Sequence, residues 1–193
     1  MGRTREAALS GAVAAVTKYG SRKATMGDVA MLAGIAKATL YNHFRTKDDV
    51  YAAVVEAEVE AIAEAALAKL PNGFDVALAE AAGMIADSPA IRRVAAQEPA
   101  VAAALATPGD GNAWTSARAH VARALQQVGL DDSAVAVDVV LRYLASQVLA
   151  PSGPAERAAA AALITGAVAS SHGESHAEPA PGSALADSSD TSS

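Results

Sequence analysis

Residues 25–47 read TMGDVAMLAGIAKATLYNHFRTK and predict two short helices joined by a tight turn. Thr25 suits an N-cap, and Asp28 three residues on suits the positive first turn of the helix it opens. Val29 and Leu32, spaced i, i+3, are expected to share that helix's inner face. Gly34 is the residue expected where a helix ends in a left-handed conformation. A second helix follows over 37–44, with Leu40 and Phe44 at i, i+4 as its inward line. Ala38, Asn42 and Arg45 fall opposite that line, and Thr39, Tyr41 and His43 flank it. A helix that is apolar inside and small, hydrogen-bonding and basic outside suits a groove of DNA.

The stretch 33–55, AGIAKATLYNHFRTKDDVYAAVV, resembles the signature of TetR-type transcriptional regulators, whose common form is close to AGVSKGTLYHHFPSKEALL. The T-L-Y-x-H-F-x-x-K core is specific to that family, and the resemblance covers the first 55 residues. One position departs from it. Ala36 stands where the family usually has Ser, which removes a side-chain cap worth about 1 kcal/mol. By the resemblance, Lys37 and Ala38 enter the major groove near base edges, Lys37 donating to guanine and Ala38 meeting a thymine methyl. Thr39, Tyr41, His43 and Lys47 are implied to hold phosphates, with Thr25 joining from the neighbouring helix and Asn42 on the same outer face. The implied partners are double-stranded DNA carrying an inverted-repeat operator, a small-molecule effector, and a second copy of the chain in a homodimeric repressor. A dimeric helical scaffold or small-molecule-binding module without operator-specific DNA binding is the alternative.

Composition is consistent with an all-α fold. Half of the residues are hydrophobic, but much of that share is alanine, and aromatics are only 4%. Alanine-rich periodic stretches with little alternation favour helices packed through small side chains. The chain is long enough for a small head, 1–47, and a larger helical ligand-binding and dimerisation body, 48–170. No strongly apolar, charge-free run is long enough to span a membrane, and the N-terminal MGRTREAALSGAV shows no export signal, so a cytoplasmic location is expected. The absence of cysteine removes disulfides and thiolate metal sites.

The net charge of −6 conceals an asymmetry. Residues 1–50 hold eight Lys/Arg against four Asp/Glu, a balance of +4, which leaves −10 for the rest. A basic head on an acidic body provides local attraction to phosphate at one end.

Around the central stretch, 4–19 should form a first helix with Leu9, Val13 and Val16 as its apolar stripe. Arg22 and Lys23 lie in the connector, as solvated charge or as phosphate contacts. Thr46 is placed to cap a long helix from Lys47 to about Leu70, with Asp48 and Asp49 in its first turn. Its apolar line is read as Val50, Val54, Ala57, Ala61 and Ala65, and its wet side as Glu56, Glu58, Glu60 and Glu64. The body should open with Phe74, Leu78 and Ile85 on one helix, restart at Ser88-Pro89, and continue in short pieces through Ile91, Val94, Val101 and Leu105. After the loop 107–112 comes a helix carrying Trp114, Val121, Leu125 and Val128. A helix over 133–149 carries Val135, Val139, Leu141, Leu144, Val148 and Leu149. An alanine-rich helix follows at 155–170. From Ser171 onward the composition predicts a disordered tail.

The body's candidate ligand residues are Met84, Trp114 and Tyr143 with Phe74 for apolar contact, and Arg118 and Arg142 with His120, Arg123 and Gln147 for polar contact. Trp114 on a helical stripe is also what plain core looks like, and Arg142 also suits a salt bridge across a dimer. His172 and His176 have a metal-ligand spacing when helical, but the Gly/Ser-rich setting argues against a site. No catalytic set, phosphate loop or carboxylate pair stands out, so neither enzymatic activity nor a cofactor or metal is expected.

Overall fold

The computed structural model describes residues 2–174. Among them are ten α-helices and no strand: α1 (Gly2–Tyr19), α2 (Met26–Leu32), α3 (Lys37–His43), α4 (Lys47–Lys69), α5 (Phe74–Asp87), α6 (Pro89–Gln97), α7 (Pro99–Leu105), α8 (Asn112–Gln127), α9 (Ala134–Leu149) and α10 (Pro154–Glu174). The last helix thus runs four residues past the expected boundary at 170. The rest of the segment expected to be a disordered tail, and the pairing of His172 with His176, lie outside the described residues.

α1–α3 and the start of α4 enclose a small core of Ala8, Ala12, Ala15, Met26, Val29, Leu40, Phe44, Val50 and Ala53. Its helices are bounded as their caps dictate. Thr25 and Thr46 each form a capping box, with Asp28 and Asp49 as the reciprocating acids. Gly34 takes φ +65° after α2, the left-handed turn its residue type implied.

The inner face of α1 differs from the expected Leu9–Val13–Val16 stripe. Small residues Ala8, Gly11, Ala12 and Ala15 are buried, and Gly11 lies against α2. The two helices approach so closely that a Cβ on Gly11 would lie 2.6 Å from the Ala33 Cβ and 2.7 Å from the Val29 carbonyl oxygen. Val16 instead joins Ile85, Val94, Ala102 and Val148 in a core shared with the body. In α2 the expected Val29–Leu32 pair also separates: Leu32 is 36% exposed. Met26, Val29 and Ala30 set a buried arc, and at 100° per residue Leu32 falls beyond its edge.

α5 lies at the centre of the body, with α4, α9 and α10 packed around it. Gly73 precedes it, and Ser88 then caps α6 with Pro89 in the first turn, as expected. Phe74, Leu78, Leu125, Val137, Val140 and Leu141 form the main body core. Arg157 of α10 is buried, its guanidinium 3.0 Å from the Asp87 carboxylate at the end of α5.

Two apolar lines are displaced from their expected positions. On α4, Ala61 is exposed, and Val54, Val59, Ile62 and Ala66 form the inward line instead of Ala57, Ala61 and Ala65. The larger aliphatic side chains turn toward the body, and alanines suffice on the back. On α9, Val137, Val140, Leu141 and Val148 are buried, whereas Val135, Val139 and Leu149 are 74%, 44% and 54% exposed. One chain covers only one face of this two-sided apolar helix. Val128, expected in the α8 stripe, caps that helix and is exposed.

Candidate functional site

The outer surface of the head is built on α3. Leu40 is fully buried and Phe44 nearly so, and these two anchors orient the helix. Lys37, Ala38, Tyr41, Asn42 and His43 are exposed, and Thr39 is half-buried on the flank. The Lys37 ammonium lies 5.9 Å from the centre of the Tyr41 ring, so the cation and the phenol occupy one patch. Ala36 provides no side-chain hydrogen bond to the first turn. Thr25 is exposed at the start of α2, but its hydroxyl donates to the Asp28 carboxylate at 2.6 Å while accepting from the Asp28 N–H. The Thr25 hydroxyl, followed by the Thr25 N–H, holds the Asp28 carboxyl below the usual carboxylate range.

Lys47 sits apart from that patch. Its ammonium donates to the carbonyl oxygens of Ser21 and Arg22 at 3.0 and 3.2 Å, clamping the α1–α2 connector onto the start of α4. Tyr51, one turn on, donates its hydroxyl to the same Ser21 oxygen at 3.0 Å. Burial first, then the charges of Glu98, Asp48 and Asp28, push the Tyr51 phenol up to about 12.

The other side of the connector is held by Glu98, between α6 and α7. Its carboxylate accepts from the Ser21 N–H at 2.6 Å, the Ser21 hydroxyl, and the Arg22 N–H at 3.1 Å. Burial by itself would raise the Glu98 carboxyl, but these donors outweigh it and hold the group below its ordinary value. Neither Glu98 nor Tyr51 stands out in the sequence, because the partners of Glu98 lie 76 and 77 residues away and those donors are mostly backbone.

Behind the head, α1, α4, α5, α6, α7, α8 and α9 surround a cavity of about 800 Å³. Its walls are mostly aliphatic, with Trp114, Phe74 and Tyr51 as aromatic contributions. Val13 and Val16 of α1 and Ser21 of the connector also line it, so the cavity reaches the head. Its few polar neighbours include Tyr51, Glu56, Glu58, Asn112 and His120, and no Lys or Arg lines it. A hydrogen-bonded seam joins α4 to α8 beside it. Asn112 donates to Glu56 at 3.1 Å, Ser116 donates to Glu60, and His120 Nε2 lies 2.9 Å from Glu60. The Ser116 hydroxyl is the first cause holding the Glu60 carboxyl low, working against burial with help from His120.

Of the residues expected to meet a ligand, Trp114, Phe74 and His120 line this cavity. Met84, Arg118, Arg123, Arg142, Tyr143 and Gln147 do not. Arg118 donates to the Gly109 carbonyl at 2.9 Å and braces the loop before α8. Arg142 is exposed and pairs with Asp138 one turn away on its own helix. Tyr143 donates to the Arg157 carbonyl, and Gln147 accepts from Ser152, which together shape the α9–α10 turn.

Comparison with known proteins agrees with this architecture. Residues 8–54 match the family model described as bacterial regulatory proteins, tetR family. No curated protein matches the chain. Among solved structures, the TetR family repressor AlkX from Dietzia sp. strain DQ12-45-1b, implicated in biodegradation of n-alkanes, aligns over 85% of this chain and 94% of its own, at 20% identity and a TM-score of 0.65. A TetR-family regulator from Rhodococcus sp. aligns over 88% of this chain and 100% of its own, at 20% identity and a TM-score of 0.61. One from Shewanella sp. PV-4 aligns over 86% and 98%, at 18% identity and a TM-score of 0.61. The helix-turn-helix head thus matches the tetR family model over residues 8–54, and most of the helical chain shares the fold of such regulators.

Proposed function

We propose that the protein is a homodimeric, ligand-responsive repressor that binds an inverted-repeat operator. The observation that carries this reading is the shared wall between cavity and head: Val13, Val16 and Ser21 belong to the head and line the cavity. A molecule filling the cavity presses on α1, which packs against α2 and through it on the recognition helix, and on α4, which follows the recognition helix in the chain. A ligand that prefers the displaced arrangement lowers operator affinity by population shift.

In this reading Lys37 and Ala38 face base edges, while Thr39, Tyr41, Asn42 and His43 position the helix on the duplex. Thr25 and Lys47 act chiefly by shaping the head, because their polar groups are engaged within it. The dimer forms through α9 and α10. Val135, Val139 and Leu149 on α9 and Leu163 on α10 are large apolar side chains exposed on the single chain, as a twofold four-helix interface requires. Two heads then bind with the gain of effective concentration, provided that the recognition helices sit about 34–36 Å apart or a multiple of it.

The test is selection of bound sequences from a random DNA pool with the full chain, followed by anisotropy titrations on the selected site. An inverted repeat bound by a dimer is the expected result. A single asymmetric half-site, bound with one protomer, would overturn the paired-head mechanism.

A further inference from the structure

Resting on the reading of the cavity as a ligand site, we propose that its ligand is an uncharged, lipid-like molecule, mostly hydrocarbon with at most a neutral polar head, and that the corresponding carboxylates are rejected. About 800 Å³ is the size of a site for a whole small molecule. Its lining is supplied by residues such as Val59, Ile62, Leu78, Val101, Val121 and Leu144. Such walls reward burial of hydrocarbon in proportion to area.

The charges decide the head group. An anion transferred into this space would need a cationic partner; among the described residues no Lys or Arg lines it, and the His120 imidazole is taken up by Glu60. Among the described lining residues the two carboxylates are Glu56 and Glu58. Glu60 adds a third negative charge in the adjoining seam, where hydrogen bonds from Ser116 and His120 favour its ionised form. A carboxylate ligand therefore meets desolvation without compensation and like charge nearby. A neutral oxygen faces no such penalty. The Ser88 hydroxyl and the Trp114 indole on the lining are neutral groups of the kind that orient an alcohol or ester.

The molecule carries its own reporter, because Trp114 is the single tryptophan of the chain and lines the cavity. The experiment titrates the full-length protein with dodecanol, methyl dodecanoate and sodium dodecanoate, each below its aggregation limit and at mildly alkaline pH, reading Trp114 emission and thermal stability. Dodecanol and the ester should saturate the signal and raise the melting temperature, with dodecanoate at least about tenfold weaker. In the double variant Glu56→Gln/Glu58→Gln the gap between dodecanol and dodecanoate should narrow. Dodecanoate binding as tightly as dodecanol would overturn the ligand class and leave the cavity reading standing. No response of emission or melting temperature to any of the three would overturn both.

Discussion

Glu98 grips Ser21 twice: one carboxylate oxygen takes the Ser21 N–H and the other takes its hydroxyl. The pair spans 77 residues of sequence and ties the junction of α6 and α7 to the connector between α1 and α2. The head is therefore held to the body by a charge-assisted contact as well as by the apolar packing of Val16.

Removing that carboxylate should loosen the two parts. Glu98→Ala leaves two backbone N–H groups without their acceptor and is expected to cost about 1.5–3 kcal/mol in urea unfolding. Glu98→Gln keeps the shape and one acceptor oxygen and should cost less. If both variants match the wild type in stability and operator affinity, the contact does not hold the head.

The same group predicts an acid limb. The folded Glu98 carboxyl is held below its ordinary value, so its contribution is present above the carboxylate range and disappears as pH falls through the lowered value. Tyr51 predicts the opposite, alkaline limb. With its phenol raised from 10 to about 12, its contribution is full below pH 10 and is lost as pH rises toward 12. Melting curves of Tyr51→Phe should lack the part of the alkaline decline that the wild type shows over that interval. An unchanged alkaline limb would remove Tyr51 from the account.

Tyr41 and Lys47 should separate cleanly. Tyr41→Ala alters an exposed side chain and should weaken DNA binding while leaving the melting temperature unchanged. Lys47→Ala releases the Ser21 and Arg22 carbonyl oxygens and should lower both stability and affinity. Lys37→Ala should relax preference at particular base pairs by about 1–3 kcal/mol. Binding assays paired with melting curves check all three, and a selected site unaltered by Lys37→Ala would remove that residue from base reading.

Gly11 should tolerate no side chain. Gly11→Val places carbon where the Ala33 Cβ and the backbone of α2 already lie, at a cost of about 1–3 kcal/mol or more. The head should lose its packing and DNA binding, whereas Trp114 emission from the body should persist. Full DNA affinity in this variant would contradict the observed helix approach.

The dimer prediction rests on exposed apolar side chains. Val139→Asp or Leu163→Glu should yield monomer in sedimentation analysis without lowering helix content. A wild-type chain that remains monomeric at micromolar concentration would remove the interface.

The range of each interaction decides how much of this architecture is legible in the sequence. Caps and breaks are local, so Thr25, Thr46, Ser88-Pro89 and Gly34 could be placed directly from sequence. Anchors at i, i+4, such as Leu40 and Phe44, were equally plain. Alanine was the main source of error. Its small, weakly hydrophobic side chain occurs on both the buried and the exposed sides of these helices, so apolar spacing chose Ala57, Ala61 and Ala65 over the line through Val59 and Ile62. In α1 the error was reversed: the tight approach at Gly11 required small residues inside and moved the valines elsewhere. The cavity was the least legible feature. Arg118, Arg142 and Tyr143 looked functional as isolated polar or aromatic residues, yet each satisfies a neighbour away from the cavity. Glu98 carried no signal, since what marks it is backbone donors brought to it by folding.

The seam between α4 and α8 sets the step by which one helix can move past the other. Its acceptors, Glu56 and Glu60, are one turn apart, and so are its donors, Asn112, Ser116 and His120. Each ladder therefore steps by four residues, about 6 Å along its helix. Because Glu60 already holds Ser116 and His120 together, a slide of one step that brings Glu56 opposite Ser116 keeps the Glu60–His120 contact, whereas a slide the other way breaks it.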